Sequence, residues 1–488
     1  MSSLKTNIIL NFINTLTGII FPIITFPYAA RILLPGGIGT INFLQSIVNY
    51  IILCTSLGIP MYAVREIARY RDNIEQRNQK TIEILLLSLL LCIPGYIIIW
   101  LMDTFISKVE TQTEVFYVLS LAILFTSIGI NWFYQAIEDF KFITIRAIIF
   151  RILCAASLFI YVQTPNDLIA YAWILVGSTV GNNFINFIHL RKFIPIQQIK
   201  WKKLKLMQHL KPSLHIFVLN IIISLYTNLN TVMLGFMQNS TAVGYYTAGN
   251  KISSIALNVI ASLGIVMLPR CANLIETGQI EEFATITKKA YHLVWGLSLP
   301  CLCGLILLAS PILTIFCGAE FIEAVPVLYW TSPIILLIGL SNVIGIQILY
   351  PQGKENIVIL STIGGAFFNL ILNFWLIPTY SYIGAGISTF IAELTVLVIQ
   401  LISGYKYIYF KLFERTLWNY LGATFIMGMV VYITTLYIVD SWNIIITSIL
   451  IGGFIYITLL YSLKDSLILN LISISKYNIT KLWNKVKF

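Results

Sequence analysis

Apolar residues run along this chain in blocks of roughly twenty, separated by short polar or charged breaks, and the blocks recur from one end to the other. A helix of that length crosses the ~30 Å hydrocarbon layer of a bilayer. Charge clusters and Pro/Gly breaks predict helices near 7–30, 38–63, 82–102, 115–137, 147–163, 168–190 and 213–237. Seven more follow near 244–268, 290–316, 326–350, 357–377, 384–404, 419–438 and 444–463. The expected class is an all-α integral membrane protein of about fourteen transmembrane helices. The first block is too long for a signal-peptide core and leads straight into the next span, so it reads as an uncleaved first helix.

Polar residues inside these blocks fall in register. Asn220, Ser224, Thr227 and Thr231 in helix 7 follow one another at helical spacing, and Thr247, Lys251, Ser254, Asn258 and Ser262 in helix 8 keep the same rhythm, which puts each set on one face. The first half repeats the theme with Asn7, Asn11 and Asn14, then Asn42, Ser46 and Asn49. Because polar side chains are costly in lipid, such faces line protein or water. Matching stripes on matching helices predict one shared cavity between the halves. The plainer alternative is hydrogen bonding across helix interfaces, at about 0.6 kcal/mol each.

A longer repetition supports two halves. Gly39 precedes Ser56-Leu57-Gly58-Ile59-Pro60-Met61 and Arg65, and about 206 residues later Gly244 precedes Ser262-Leu263-Gly264-Ile265-Val266-Met267 and Arg270. Six helices fit between equivalent points. An even number keeps both copies in one orientation, so the repeat is parallel, with its axis along the membrane normal. The expected division is an N-terminal lobe with a basic linker (1–212), a C-terminal lobe (213–410), and two added helices with a tail (411–488).

Composition agrees with the pattern: of 488 residues 58% are apolar and 10% charged, against about 25% charged in a soluble domain. All of the 31 Lys and Arg except Arg31, Lys108, Arg151 and Lys251 fall in the tails and even-numbered loops, which by the positive-inside rule puts both termini in the cytoplasm. Arg151 lies one turn from the cytoplasmic end of its helix and is expected to snorkel. The net charge of +11 is dispersed over many loops without a nucleic-acid motif, so topology accounts for it. The basic, apolar-interleaved stretch from Ile199 to Lys211 suits an anionic membrane surface. The seven cysteines show no paired spacing and read as small packing residues.

Several chemistries leave no trace. The sequence has no GxxxxGK[ST] phosphate loop and no HExxH, and its four histidines, His189, His209, His215 and His292, are too dispersed to suggest a metal site. Each reads as a packing or interface residue. The longest outward loop, about 103–114, is too short for the catalytic loop expected of a membrane glycosyltransferase, polymerase or ligase.

Pro27-Tyr28-Ala29-Ala30-Arg31-Ile32-Leu33-Leu34-Pro35 with Gly39 and Asn42-Phe43, then Leu57-Gly58-Ile59 and Arg65-Glu66-Ile67-Ala68, resembles the opening of Wzx-type O-antigen and capsule flippases. Gln135-Ala136-Ile137-Glu138-Asp139-Phe140, Val243-Gly244-Tyr245-Tyr246 with Lys251, Leu268-Pro269-Arg270, and Asn369-Leu370-Ile371-Leu372-Asn373 with Ile377-Pro378 extend the resemblance over nearly the whole chain. It implies the multidrug/oligosaccharidyl-lipid/polysaccharide exporter fold, with two six-helix lobes around a central cavity and alternating access, in a bacterial inner membrane and without enzymatic chemistry. It also implies a cargo, an undecaprenyl-pyrophosphate-linked oligosaccharide, together with membrane lipids, a polysaccharide polymerase and chain-length proteins as partners. A cation-coupled multidrug exporter of the same superfamily is the alternative, since a fold does not fix a substrate.

The related lipid II flippases place cations in the cavity to meet the pyrophosphate. By that resemblance Arg31 and Lys251 are the first candidates for substrate contact, with Asn42 on the helix 2 stripe and Arg65 and Arg270 at the cytoplasmic mouth. Arginine suits phosphate through its planar fork of donors. Glu393 falls near the middle of helix 12, where a carboxylate needs a partner, a proton or a cation. With Asn369 and Asn373 one turn apart in helix 11, and Asn228 in helix 7, it forms the candidate site for a coupling Na⁺ or H⁺. The lipid II flippases use carboxylates on helices 7 and 11 where this chain has Asn. No other cofactor is expected.

Overall fold

The computed structural model describes residues 4–195, 197, 199–465 and 469, and of 4, 5, 8, 218–220, 222–227 and 261–266 the backbone alone. The chain is almost entirely helical, with no strand among the described residues. Ten helical stretches there are long and apolar enough to cross a membrane, and four of these, Ile9–Arg69, Thr113–Ala136, Ala319–Leu349 and Glu355–Tyr407, contain internal breaks. Large apolar side chains such as Phe425, Leu450 and Phe454 are exposed, as lipid solvation allows. The chain divides into two compact units, Met1–Thr247 and Ala248–Phe488.

The first unit begins with Leu4–Ser56, which the sequence pattern splits near residue 30. The backbone turns at one residue, Leu34 (φ 60°, ψ 173°), immediately before Pro35. Proline disfavours the helical region for the residue before it and supplies no N–H, so the helix re-starts there without a loop. A second break, at Leu57 (φ 43°) and Gly58 (φ 73°), separates Ile59–Arg69, whose first turn contains Pro60. Further on, Gly39 and Gly244 allow two helices to touch. A Cβ at Gly39 would overlap the Ser240 carbonyl, and one at Gly244 the Pro35 carbonyl. The glycines aligned by the sequence repeat thus meet at one reciprocal crossing.

This unit's helices are also tied together by polar bonds, because apolar contact gains little when lipid is the alternative. Lys108 Nζ donates to the carbonyls of Gly235, Phe236 and Gln238 at 3.1, 2.9 and 2.6 Å, satisfying oxygens that the end of helix Leu210–Met237 leaves without intrahelical partners. Tyr28 donates to the Val162 carbonyl at 2.9 Å. An aromatic core around Trp132, Phe133 and Tyr134 packs against Tyr62 and Ile67.

In the second unit the expected helix near 326–350 is divided into Val325–Thr331, Ile334–Asn342 and a π-helical stretch, Val343–Leu349. Ser332-Pro333 marks the first division, since Pro333 has no N–H to continue the ladder. The helix Glu355–Gly404 breaks at Ser381 (φ 50°), close to the gap expected between 377 and 384. Arg415–Tyr437 and Ser441–Ser462 pack on Ile280–Leu307 and Ala309–Cys317. Their fastenings are Tyr456 to the Gly296 carbonyl (2.7 Å), Thr434 with Ser448 (2.9 Å), and the Lys288–Glu414 ion pair (2.7 Å).

Candidate functional site

In the first unit the polar residues form three clusters. One centres on Glu83, which is almost wholly buried on helix Ile74–Phe105. His209 Nε2 lies 2.9 Å from its Oε2, Gln208 Nε2 donates to the same oxygen at 2.7 Å, the Lys205 backbone N–H donates to Oε1 at 3.1 Å, and Lys80 Nζ stands at 3.4 Å. His209 Nδ1 is 2.8 Å from the Tyr62 hydroxyl. A neutral imidazole protonated at Nε2 satisfies both contacts, donating to Glu83 and accepting from Tyr62. Burial pushes the His209 imidazole below its ordinary value, against the opposing pull of Glu83. The basic segment read as a membrane-surface anchor is therefore docked: Lys200 pairs with Glu75 at 2.5 Å, and Leu204 and Leu206 pack on the aromatic core, while Trp201 stays exposed.

A second cluster corrects the expectation for Arg151. Its Nη1 donates to the Asn14 carbonyl (2.9 Å), Asn14 Oδ1 (3.1 Å) and Thr17 Oγ1 (2.5 Å), so it ties two helices together instead of snorkelling. Part of the first polar stripe serves a helix interface. The third cluster centres on Arg146, which the expected boundary at 147 leaves in a loop. The helix instead covers Phe140–Tyr161 and buries Arg146. Its Nε donates to Asn182 Oδ1 and its Nη2 to Asn131 Oδ1, both at 2.9 Å, and Asn186 Nδ2 donates to Asn131 Oδ1 at 2.8 Å.

The second unit holds amide and hydroxyl groups around a carboxylate-bearing helix. Asn369, Asn373 and Ser388 are fully buried. Asn373 Nδ2 donates to Asn369 Oδ1 at 3.2 Å, and Ser388 donates to Asn373 Oδ1. Glu393, 5% exposed, follows Ser388 by five residues on the same helix. Gln400 Nε2 donates to Ser361 at 3.2 Å and its Oε1 accepts from Ser341 at 3.1 Å.

The structure distributes the expected site residues between the units. Arg31 is exposed one turn before the Leu34 break; Asn42 is half-buried and donates to the Ile38 carbonyl at 2.8 Å; Arg65 is exposed on Ile59–Arg69; Asn228 is half-buried. Lys251 is half-buried on helix Ser240–Glu276, and Arg270 is exposed, its Nη2 2.8 Å from Glu282 Oε1. Asn369 and Asn373 are brought together, as their spacing of four requires. The side chains of Asn220, Ser224, Thr227 and Ser262 lie outside those described. Sequence reading missed Glu83 and Arg146. The run Gly181-Asn182-Asn183-Phe184-Ile185-Asn186 inside an apolar block was the available signal for the second, whereas nothing local marks the first.

A family model described as "Polysaccharide biosynthesis protein" matches residues 4–275, and one described as "MatE" matches 216–375. A "Putative O-antigen transporter" of Escherichia coli (strain K12) is 25% identical over 402 residues, covering 82% of this chain and 96% of its own. "Lipid II flippase MurJ" of Bacillus subtilis (strain 168) is 26% identical over 191 residues, 38% of this chain and 34% of its own. Among solved structures, "Lipid II flippase MurJ, inward closed conformation" superposes with a TM-score of 0.77 at 15% identity, covering 94% of this chain and all of that one. An inward-facing "multidrug resistance MATE family transporter of the MOP superfamily" gives 0.63 at 15% identity, covering 80% of this chain and 94% of that one. These structures share the fold, and the relatives are transporters and flippases, not enzymes. With more than half of its length matched by that family's model, the chain belongs to the polysaccharide biosynthesis protein family.

Proposed function

We propose that this multi-pass membrane protein is a flippase for a lipid-linked oligosaccharide, specifically an undecaprenyl-pyrophosphate-linked repeat unit of O-antigen or capsule type. It carries that unit from the cytoplasmic to the periplasmic leaflet of a bacterial inner membrane by alternating access, with both termini cytoplasmic. The observation that carries the reading is the relation to an O-antigen transporter over 82% of this chain and 96% of that one. A polysaccharide polymerase and chain-length proteins act downstream of it.

Arg31, Lys251 and Asn42 contact the cargo in this reading, and Arg65 and Arg270 receive its pyrophosphate at the cytoplasmic face. Glu393 with Asn369, Asn373 and Asn228 binds the coupling Na⁺ or H⁺. The buried carboxylate supports that assignment, because a carboxylate inside a membrane needs a partner, a proton or a cation. The test is glycolipid flipping in vesicles under an imposed Na⁺ or H⁺ gradient. Lys251→Ala at normal protein level should lose flipping, and Glu393→Gln should lose its response to the gradient. Unchanged behaviour in either variant removes that residue's role.

The MatE match over 216–375 favours one second reading, a cation-coupled multidrug exporter. Deleting the gene separates the two. Loss of a surface glycan with accumulation of its lipid-linked unit supports the flippase, whereas intact glycan with lost drug resistance supports the exporter.

A further inference from the structure

Arg146 is a buried cation that forms no ion pair among the described residues. It is 6% exposed, no carboxylate stands within ion-pair distance among the described residues, and its hydrogen bonds go to neutral asparagine oxygens. Leaving one charge unpaired in a low-dielectric interior costs several kcal/mol. Its third nitrogen, Nη1, is buried without a hydrogen-bond partner in the protein, and so is His189 Nδ1.

Both residues line one groove of about 500 Å³ between the helices Phe140–Tyr161 and Leu168–Leu190. Its walls are apolar and turned outward: Ile145, Ile149 and Ile185 are all exposed. Lys141, at the helix's start, is exposed on the rim, while Asp139 is engaged in capping the Phe142 N–H at 3.3 Å. The Phe142 ring stands over the guanidinium, 5.1 Å from its carbon. The groove is thus lined by two cations, Arg146 and Lys141, against one carboxylate, Asp139, beside an outward-facing apolar wall, and the guanidinium keeps one nitrogen unsatisfied behind that lining.

We propose that this groove binds an anionic phospholipid, its phosphate between Arg146 and Lys141 and its acyl chain along Ile145, Ile149 and Ile185. The excess of two cations over one carboxylate favours a head group of net negative charge over a zwitterionic one. The outward-facing isoleucines make the occupant a bilayer phospholipid, since the surrounding leaflet presents that species in large excess over any carrier lipid. None of the site's lining residues is among those assigned above to the cargo or the coupling ion. Its effect is to complete the Arg146 network with the missing negative charge.

Native mass spectrometry of the purified full-length protein tests this with added phosphatidylglycerol, phosphatidylethanolamine or undecaprenyl phosphate. The wild type should retain phosphatidylglycerol in preference to phosphatidylethanolamine by about tenfold, because both offer a phosphate but phosphatidylethanolamine also brings an ammonium next to Arg146 and Lys141, a like-charge repulsion of that order. Arg146→Gln, which keeps an amide donor for the asparagines, should abolish the preference. Ile149→Trp fills the groove without touching the asparagine network, so it reports even if the Arg146 variant does not fold, and it should abolish retention as well. Phosphatidylglycerol held equally by the wild type and Ile149→Trp would overturn the proposal, as would stronger retention of undecaprenyl phosphate.

Discussion

The two copies of the repeated segment read Ser-Leu-Gly-Ile-Pro-Met at 56–61 and Ser-Leu-Gly-Ile-Val-Met at 262–267, yet their backbones differ. The first breaks at Leu57-Gly58 and starts a new helix; the second stays inside the continuous helix Ser240–Glu276. Two physical causes separate them. Pro60 has no N–H to return to the Ser56 carbonyl, while Val266 has one. At Gly58, moreover, the backbone of Ser213 and Phe217 comes so close that a Cβ would stand 2.8 Å from each. The break also has a consequence: it presents Tyr62 to His209 and so helps build the Glu83 cluster. The second copy runs on to Arg270, whose partner is the exposed Glu282.

The sharpest way to break this contrast is to exchange the single differing residue. Val266→Pro should impose the first copy's break on a helix interior and destabilise the protein by about 3 kcal/mol or more, read as a lower melting temperature of the purified protein. An unchanged melting temperature means that the second copy's helix is held by something other than its own ladder. Next come the paired glycines, which should respond with opposite signs. Gly58→Ala meets a positive φ and a crowded backbone and should lose roughly 2 kcal/mol. Gly264→Ala sits in a helical backbone and should be neutral or gain up to about 1 kcal/mol. Equal losses at both positions would show that the two copies share a conformation.

Pro60→Val should have a smaller effect, within about 1 kcal/mol, because the packing at Gly58 still enforces the turn. Hydrogen exchange at residues 57–62 checks it, and new protection of those amides would assign the break to the proline alone. The smallest effect is a pH dependence contributed by the first copy's cluster, where Glu83, Lys80, Glu66 and Tyr62 surround His209. Its imidazole is held below the ordinary value of about 6.5. The unfolded chain therefore takes up the proton first, and this group's contribution is complete above about pH 6.5 and declines as the pH falls below it. The melting temperature should drop on mild acidification, and His209→Gln should flatten that response. A response of the same size in the variant would place the titrating group elsewhere.

The sequence by itself determined that this is a helical membrane protein and where most of its helices lie, although the helix expected at 290–316 covers Ile280–Leu307 and the one expected at 326–350 is divided. In a bilayer each helix must satisfy its own backbone, so span positions follow from local hydropathy. It also placed Asn369 beside Asn373, because four residues make one helical turn. The tertiary structure alone decided which polar groups meet. Glu83 and His209 are 126 residues apart, Arg146 finds its asparagines on two other helical segments, and Arg151 is fastened to Asn14 instead of reaching for water. Polar side chains in lipid bond to whatever donor or acceptor the packing brings within reach, and that is a property of helix contacts which no periodicity along one helix records.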